Sequence, residues 1–151
     1  MSSEAHQVLF VCIHNSARSQ MAEAFLNQFG KDQYLAESAG LEPGQMNPNV
    51  VQVMREVGID LSQKKTQGVD DLLKKGKHYQ MVITVCDQAS AEKCPVFPGG
   101  GKRLAWSFED PSSLTGSPTE VLGHTRVIRD EIEQKIKKFV EESSVASYWI
   151  P

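Results

Sequence analysis

The sequence predicts an α/β fold, a single domain in which a parallel sheet of about four strands is covered by helices on both faces. Three observations carry that expectation. Val8–Val11 and Met81–Val85 are short, apolar, β-rich runs, as strands buried on both faces require. Segments between such runs repeat their apolar residues at helical spacing, so strands and helices alternate along the chain. No internal repeat or low-complexity linker divides the 151 residues, which suffice for one core. The domain is expected over residues 1–142, with 143–151 as a C-terminal tail.

Taken in order, Val8-Leu9-Phe10-Val11 runs straight into Cys12. Ser19 is expected to cap a helix whose apolar positions are Met21, Ala24, Phe25 and Phe29, with Gly30 as its stop. Tyr34–Ala39 reads as a second strand closed by Gly40. Asn47–Val57 reads as a helix turning Val50, Val53, Met54 and Val57 inward, with Gly58 beyond. Val69–Lys75 is a further helix, and Met81–Val85 delivers Cys86 to the C-terminal end of the clearest buried strand. Asp87–Lys102 is polar and rich in Gly and Pro, which marks a long functional loop. Gly99-Gly100-Gly101 follows no strand and opens no helix, so it is read as a source of mobility and not as a nucleotide fingerprint. Leu104–Phe108 is expected as the last strand, and Glu120–Val140 as a long amphipathic helix with Val121, Ile128, Ile132, Ile136 and Phe139 on one face. Ligands of such sheets bind beyond the strand C-termini, where Cys12 and Cys86 both fall.

A net charge of −3 offers no chain-wide attraction to nucleic acid or anionic lipid, so an anionic ligand would need a local cradle. The apolar runs are far short of the roughly 20 residues of a membrane span. Ser2, Ser3, Glu4 and His6 do not make the basic start of a secretory signal, and the cytoplasm is the expected address. Thiols are kept reduced there, and the three cysteines, Cys12, Cys86 and Cys94, cannot all pair. They read as chemistry or packing. His6 and His78 stand at no metal-ligand spacing from them, so neither a metal nor a tightly bound cofactor is expected. His14 and His124 are expected at the surface, and Lys74, Lys75 and Lys77 as a solvated face.

Cys12-Ile13-His14-Asn15-Ser16-Ala17-Arg18-Ser19 sets a Cys and an Arg six positions apart between a buried strand and a helix start. A loop curling around a tetrahedral oxyanion aims successive backbone N–H groups at its oxygens, and the helix N-terminus adds its dipole. Arg18 can close the ring with its planar fork, leaving the Cys12 sulfur beneath the central atom. The same positive field favours the thiolate, the attacking form. Ser19 can donate a hydrogen bond to that thiolate, and Asn15 can stiffen the loop through its side-chain amide.

On these residues the chain resembles a known superfamily, the low-molecular-weight protein tyrosine phosphatases and the arsenate reductases that share their fold. The match to the reductase branch runs through Cys12 to Ala24, Ser38-Ala39-Gly40, Val57-Gly58-Ile59-Asp60, Cys86 and Asp110-Pro111. The resemblance implies a low-molecular-weight tyrosine phosphatase-like fold, Cys12 as nucleophile and Asp110 as the general acid that protonates the departing oxygen. It also implies thioredoxin as electron donor. Some relatives bind potassium through positions matching Asn15, Glu23 and Ser38, but the Asp that completes the set is Gln67 here, which speaks against potassium. An additional loop Cys of some relatives is Ala17.

Both branches begin with thiolate attack on a tetrahedral oxyanion, so the other cysteines must distinguish them. Reducing arsenate to arsenite takes two electrons from a second thiol. Cys86 ends the strand beside Cys12, and Cys94 follows after seven residues on a polar loop. The expected relay runs from a Cys12 arseno-adduct, through attack by Cys86, to a Cys86–Cys94 disulfide that thioredoxin reduces. Ser112 and Ser113 stand where tyrosine phosphatases of this fold carry aromatic residues, and Trp106 and Phe108 read as anchors for the acid loop. The expected protein is therefore a cytoplasmic, monomeric arsenate reductase with arsenate and thioredoxin as partners, and with neither nucleic acid nor membrane among them. Two alternatives stand: a tyrosine or small-phosphate phosphatase, and a non-catalytic oxyanion- or redox-responsive module. Glutaredoxin or mycothiol would be the alternative electron donors.

Overall fold

The computed structural model describes residues 5–86 and 101–144. Strand β1 (His6–Cys12) carries Val8, Leu9, Phe10 and Val11, all fully buried, as a central strand must. It pairs in parallel with β2 (Tyr34–Gly40), Cys12 opposite Gly40, and with β3 (Met81–Thr84), Val11 opposite Thr84. The last strand, β4 (Lys102–Ala105), lies parallel to β3, giving the order β2-β1-β3-β4.

Successive β1 side chains point to opposite faces, and each face finds helices. Val8, Phe10 and Cys12 pack with Met21 and Phe25 of α1 (Arg18–Phe29), Met54 of α2 (Pro48–Glu56), and Ile128, Ile132 and Ile136 of α4 (Pro118–Ser143). Leu9 and Val11 meet Val69 and Leu72 of α3 (Val69–Lys74), with Ala39, Tyr79 and Val82 around them. The three isoleucines of α4 recur at helix-turn spacing, and each fully buried side chain of that size contributes roughly 1.5–3 kcal/mol. The α/β architecture expected from the sequence is present, with strands parallel and both sheet faces covered.

Helix ends follow their local chemistry. Asn47 caps α2, its Oδ1 accepting from the Asn49 amide at 2.8 Å, and Pro48 fills the first helical position where no N–H is needed. Ser117 and Glu120 form a reciprocal capping box, so α4 starts at Pro118, ahead of the expected Glu120. At the other end α4 runs through Ser143, one residue into the expected tail. The buried Ser143 hydroxyl donates to the Phe139 carbonyl at 2.6 Å and meets the Tyr34 hydroxyl. No helix among the described residues is long and apolar enough to cross a membrane.

Two expectations are corrected. Ser19 does not cap α1: the N-cap position is Ala17, which makes no side-chain cap, and Ser19 lies within the first turn. The last strand lies at 102–105, ahead of the expected Leu104–Phe108. Trp106 follows it, its amide still donating to the Thr84 carbonyl at 2.7 Å and its ring 6.0 Å from Phe10 and 5.6 Å from Phe139, centroid to centroid. Gly101 has a steric reason to be glycine beyond the mobility expected of it. It adopts φ +103°, and a Cβ there would stand 2.5 Å from the Tyr79 carbonyl oxygen. Most of the expected Asp87–Lys102 loop, Cys94 included, lies outside the described residues.

Candidate active site

The backbone from Cys12 to Arg18 turns out of the sheet and into α1 against a strap formed by residues 41–47. The Leu41 amide donates to the Cys12 carbonyl (3.1 Å), Glu42 to Ile13 (2.8 Å), Gly44 to His14 (2.9 Å) and Asn47 to Ser16 (3.0 Å). A planar trans peptide whose carbonyl faces the strap must turn its N–H the other way, so the amides of Ile13, His14, Asn15 and Ala17 face the hollow of the loop. The Asn15 amide shows it, standing 3.3 Å from Cys12 Sγ. Gly40, opposite Cys12, lets the strap approach this closely. A Cβ there would lie 2.7 Å from the Ile13 carbonyl oxygen and 2.8 Å from the Asn15 nitrogen.

Asn15 takes φ +55°, a left-handed conformation that Asn tolerates better than most residues. Its buried side chain then holds the loop from several sides. Nδ2 donates to Ser19 Oγ and to Ser38 Oγ, each at 2.9 Å, while Oδ1 accepts from the Gln67 amide and from Gln20 Nε2, each at 3.0 Å. The stiffening expected of Asn15 is thus made by four contacts.

Cys12 is 3% exposed, and its sulfur lies 2.9 Å from Ser19 Oγ. The first turn of α1 has no side-chain cap and no acidic residue, so its free N–H groups and positive dipole end are available to an anion. Arg18, buried to 6% exposure, donates from Nη1 to the Phe108 carbonyl at 3.0 Å, and its Nη2 stands 3.7 Å from Asp110 Oδ2. Asp110 is itself positioned by the turn at Pro111–Ser113, its Oδ1 accepting from the Ser112 amide at 2.9 Å. The acid therefore sits on the arginine of the loop, although the two are far apart in sequence.

Cys86 lies just past β3, buried to 3% exposure in the same cluster as Cys12, with the Val85 amide donating to the Val11 carbonyl at 2.9 Å beside it. The Cys86 thiol faces the Val11 carbonyl at 4.0 Å, next to the strand end that carries Cys12. Of the remaining loop residues, Ile13 is half-buried, Ser16 and Ala17 are buried, and His14 is exposed with Nδ1 on the Glu42 carbonyl at 2.9 Å. His124 is exposed and pairs with Glu109. The Phe108 carbonyl and the Trp106 ring hold the segment before Asp110, as expected of anchors.

Asn15, Glu23 and Ser38 are brought together, but not as a cation site. Ser38 Oγ donates to Glu23 Oε1 at 2.7 Å, Lys64 Nζ donates to Glu23 Oε2, and Gln67 Nε2 donates to the Ser38 carbonyl at 2.8 Å. The oxygens that a potassium ion would need already face hydrogen-bond donors, and a positive charge already sits on the carboxylate. These residues do not fit the ion. Sequence reasoning missed Lys64, Gln20 and the 41–47 strap. A Gln placed beside Met21 on the inward side of a helix start was the one local signal for Gln20. Lys64 and the strap gave none, because their roles exist only across the fold.

The family model for low molecular weight phosphotyrosine protein phosphatase matches residues 7–146. An arsenate reductase of Bacillus subtilis (strain 168) is 40% identical over 135 residues, covering 89% of this chain and 94% of the relative. A crystal structure of arsenate reductase from Archaeoglobus fulgidus superposes with a TM-score of 0.70 at 35% identity, over 89% of this chain and 98% of that one. A Corynebacterium glutamicum thioredoxin-dependent arsenate reductase is similar with a TM-score of 0.61 at 27% identity, over 91% of this chain and 65% of that one. With an anion-ready loop, a buried sulfur on its floor and these relatives, the chain belongs to the low molecular weight phosphotyrosine protein phosphatase family, in its arsenate reductase branch.

Proposed function

We propose that this protein reduces arsenate to arsenite by a thiol relay starting at Cys12 and recycled by thioredoxin. The observation that carries the reading is a second buried cysteine, Cys86, at the end of the strand beside the one that delivers Cys12. A hydrolase of this fold needs one sulfur and water, whereas a reductase needs another sulfur to supply electrons.

Arsenate enters the loop, its oxygens taken by the inward amides, the α1 N-terminus and Arg18, which turns its fork from Asp110 to the anion. The Cys12 thiolate attacks arsenic, an S–As bond forms and an oxygen departs as water with a proton from Asp110. The Cys86 thiolate next attacks Cys12 Sγ. The S–As bond breaks with its electron pair going to arsenic, which leaves as arsenite, and a Cys12–Cys86 disulfide remains. Cys94 attacks Cys86, freeing Cys12 as thiolate and leaving a Cys86–Cys94 disulfide that the thioredoxin dithiol reduces. Thioredoxin dependence of the Corynebacterium glutamicum relative supports that donor. A reduced, cytoplasmic setting suits every step, and one chain carries all the groups named, consistent with action as a monomer.

Beside Asp110 the positions that would hold a phenyl ring are Ser112, bonded to Asn47 Nδ2 at 2.9 Å, and Ser113, bonded to the Asp110 carbonyl at 2.9 Å. This favours a small oxyanion over an aryl phosphate. The test is a mixture of the protein with thioredoxin, thioredoxin reductase and NADPH. NADPH consumption that requires arsenate supports the proposal; release of phosphate from an aryl phosphate with no arsenate-dependent consumption supports a phosphatase; neither supports a binding module.

A further inference from the structure

We infer that Gln20 is a positioning residue for the oxyanion: its side-chain amide holds the Asn15 carbonyl outward and so turns the Ser16 amide into the hollow of the loop. The inference deepens the reading of the loop from Cys12 to Arg18 as an anion cradle and rests on it.

The loop carbonyls differ in what holds them. Backbone amides of the strap hold those of Cys12, Ile13, His14 and Ser16, and the Met21 amide holds that of Ala17 at 3.0 Å. The Asn15 carbonyl has no backbone donor among the described residues; it accepts from Gln20 Nε2 at 3.1 Å. Asn15 is also the residue at φ +55°, outside the backbone regions of regular helix or strand, so no repeating element fixes the peptide that follows it. In a planar trans peptide an outward Asn15 carbonyl sends the Ser16 N–H the other way, toward the place of the anion. That N–H donates to nothing among the described residues. Without the Gln20 donor this peptide is free to rotate, and its carbonyl oxygen would then face the anion and repel it.

Gln20 is 1% exposed and lies in the first turn of α1. Its Nε2 faces three oxygens, the Asn15 carbonyl, Asn15 Oδ1 at 3.0 Å and the Lys65 carbonyl at 3.3 Å, so its amide can point only one way. The buried Oε1 accepts no hydrogen bond among the described residues, whereas a methionine would fill the same space without a polar atom to satisfy. The Gln67 amide holds Asn15 Oδ1 at 3.0 Å from another side, so the Asn15 side chain keeps its orientation without Gln20. The Asn15 carbonyl does not.

The experiment uses the full chain and its Gln20→Met variant, with inorganic phosphate as the anion and iodoacetamide alkylation of Cys12, resolved by mass spectrometry, as the readout. Phosphate seated in the loop shields the sulfur, so the concentration that halves alkylation reports affinity whatever the unshielded rate. That concentration should rise about tenfold in Gln20→Met, as the loss of one hydrogen bond to a charged acceptor would give. Magnetic resonance of isotope-labelled protein reads the amide itself. Saturating phosphate should move the Ser16 amide resonance together with those of His14 and Asn15 in the parent, and should move His14 but not Ser16 in Gln20→Met; a merely structural role would weaken all of them alike. An unchanged half-shielding concentration, or a Ser16 resonance that responds as in the parent, would overturn the inference. Should Gln20→Met fail to fold, Gln20→Glu keeps the shape of the side chain and loses the donor, and parent-like shielding in that protein would overturn it equally. Phosphate that shields no sulfur in the parent removes the cradle and the inference with it. Neither measurement involves arsenate turnover, so the thiol relay stands or falls separately.

Discussion

Ser19 Oγ reaches Cys12 Sγ at 2.9 Å from inside the first turn of α1, a side chain spent on the nucleophile instead of on the helix end. The uncapped N–H groups that result are the ones an anion uses, so the same residue choice prepares both the sulfur and its substrate site. Ser19→Ala keeps the helix and removes only the hydroxyl. Arsenate turnover and iodoacetamide alkylation of Cys12 should both fall by about tenfold or more, the worth of one hydrogen bond to a charged acceptor, while the thermal midpoint moves little. Parent-like alkylation would show that the hydroxyl does not serve the sulfur.

Gly40 is tested by adding one methyl group. In Gly40→Ala the new carbon meets the backbone of Ile13 and Asn15 below 3 Å, and neither can yield as a flexible side chain would. Denaturant unfolding should show a loss of about 1–3 kcal/mol, the ordinary range for overpacking, together with weaker arsenate turnover because the loop is displaced. A fully stable and active variant would mean that the strap is looser than the structure shows.

The order of thiols is read from serine substitutions. Cys86→Ser should bind arsenate but release no arsenite and consume no NADPH, since nothing attacks the Cys12 adduct. Cys94→Ser should release a single equivalent of arsenite and stop. Mass mapping after that turnover should find Cys12 bonded to Cys86; sustained thioredoxin-coupled turnover of Cys94→Ser would reverse the assigned roles.

Glu56 joins α2 to α4 through Arg126 and Arg129, at 2.8 Å and 3.1 Å. The hydrogen bond from Arg126 is the main reason that its carboxyl titrates below the ordinary 4.5. A carboxyl lowered in the folded state adds stability above its unfolded value, and that stability is lost as pH falls through the lowered folded value. Glu56→Gln should therefore lower the thermal midpoint at neutral pH, with the gap closing as the pH drops below the ordinary 4.5. A gap of constant size down to strong acid would show that the ion pairs contribute nothing.

Local signals were enough for much of this protein. The runs at Val8 and Met81, the inward faces of α2 and α4, and the Cys12–Arg18 spacing were all visible because covalent neighbours and periodic spacing carry them. The acid at Asp110 was marked by its following proline together with the resemblance. Where local reading failed, a distant partner had intervened. Ser19 looked like a cap, but it lies inside the first turn of α1 with its hydroxyl on the Cys12 sulfur, across the loop.

By itself the amino-acid order determined the alternation of buried strands and amphipathic helices, and it placed a sulfur, a guanidinium and a turn at one sheet edge. Only the folded molecule decided which way each hydrogen bond in the site runs. Glu23 and Lys64, like Arg18 and Asp110, lie too far apart in sequence for any local pattern to join them. Their meeting depends on the sheet bringing β1, β2 and the segments after them to one place, where burial leaves each polar group a small choice of partners.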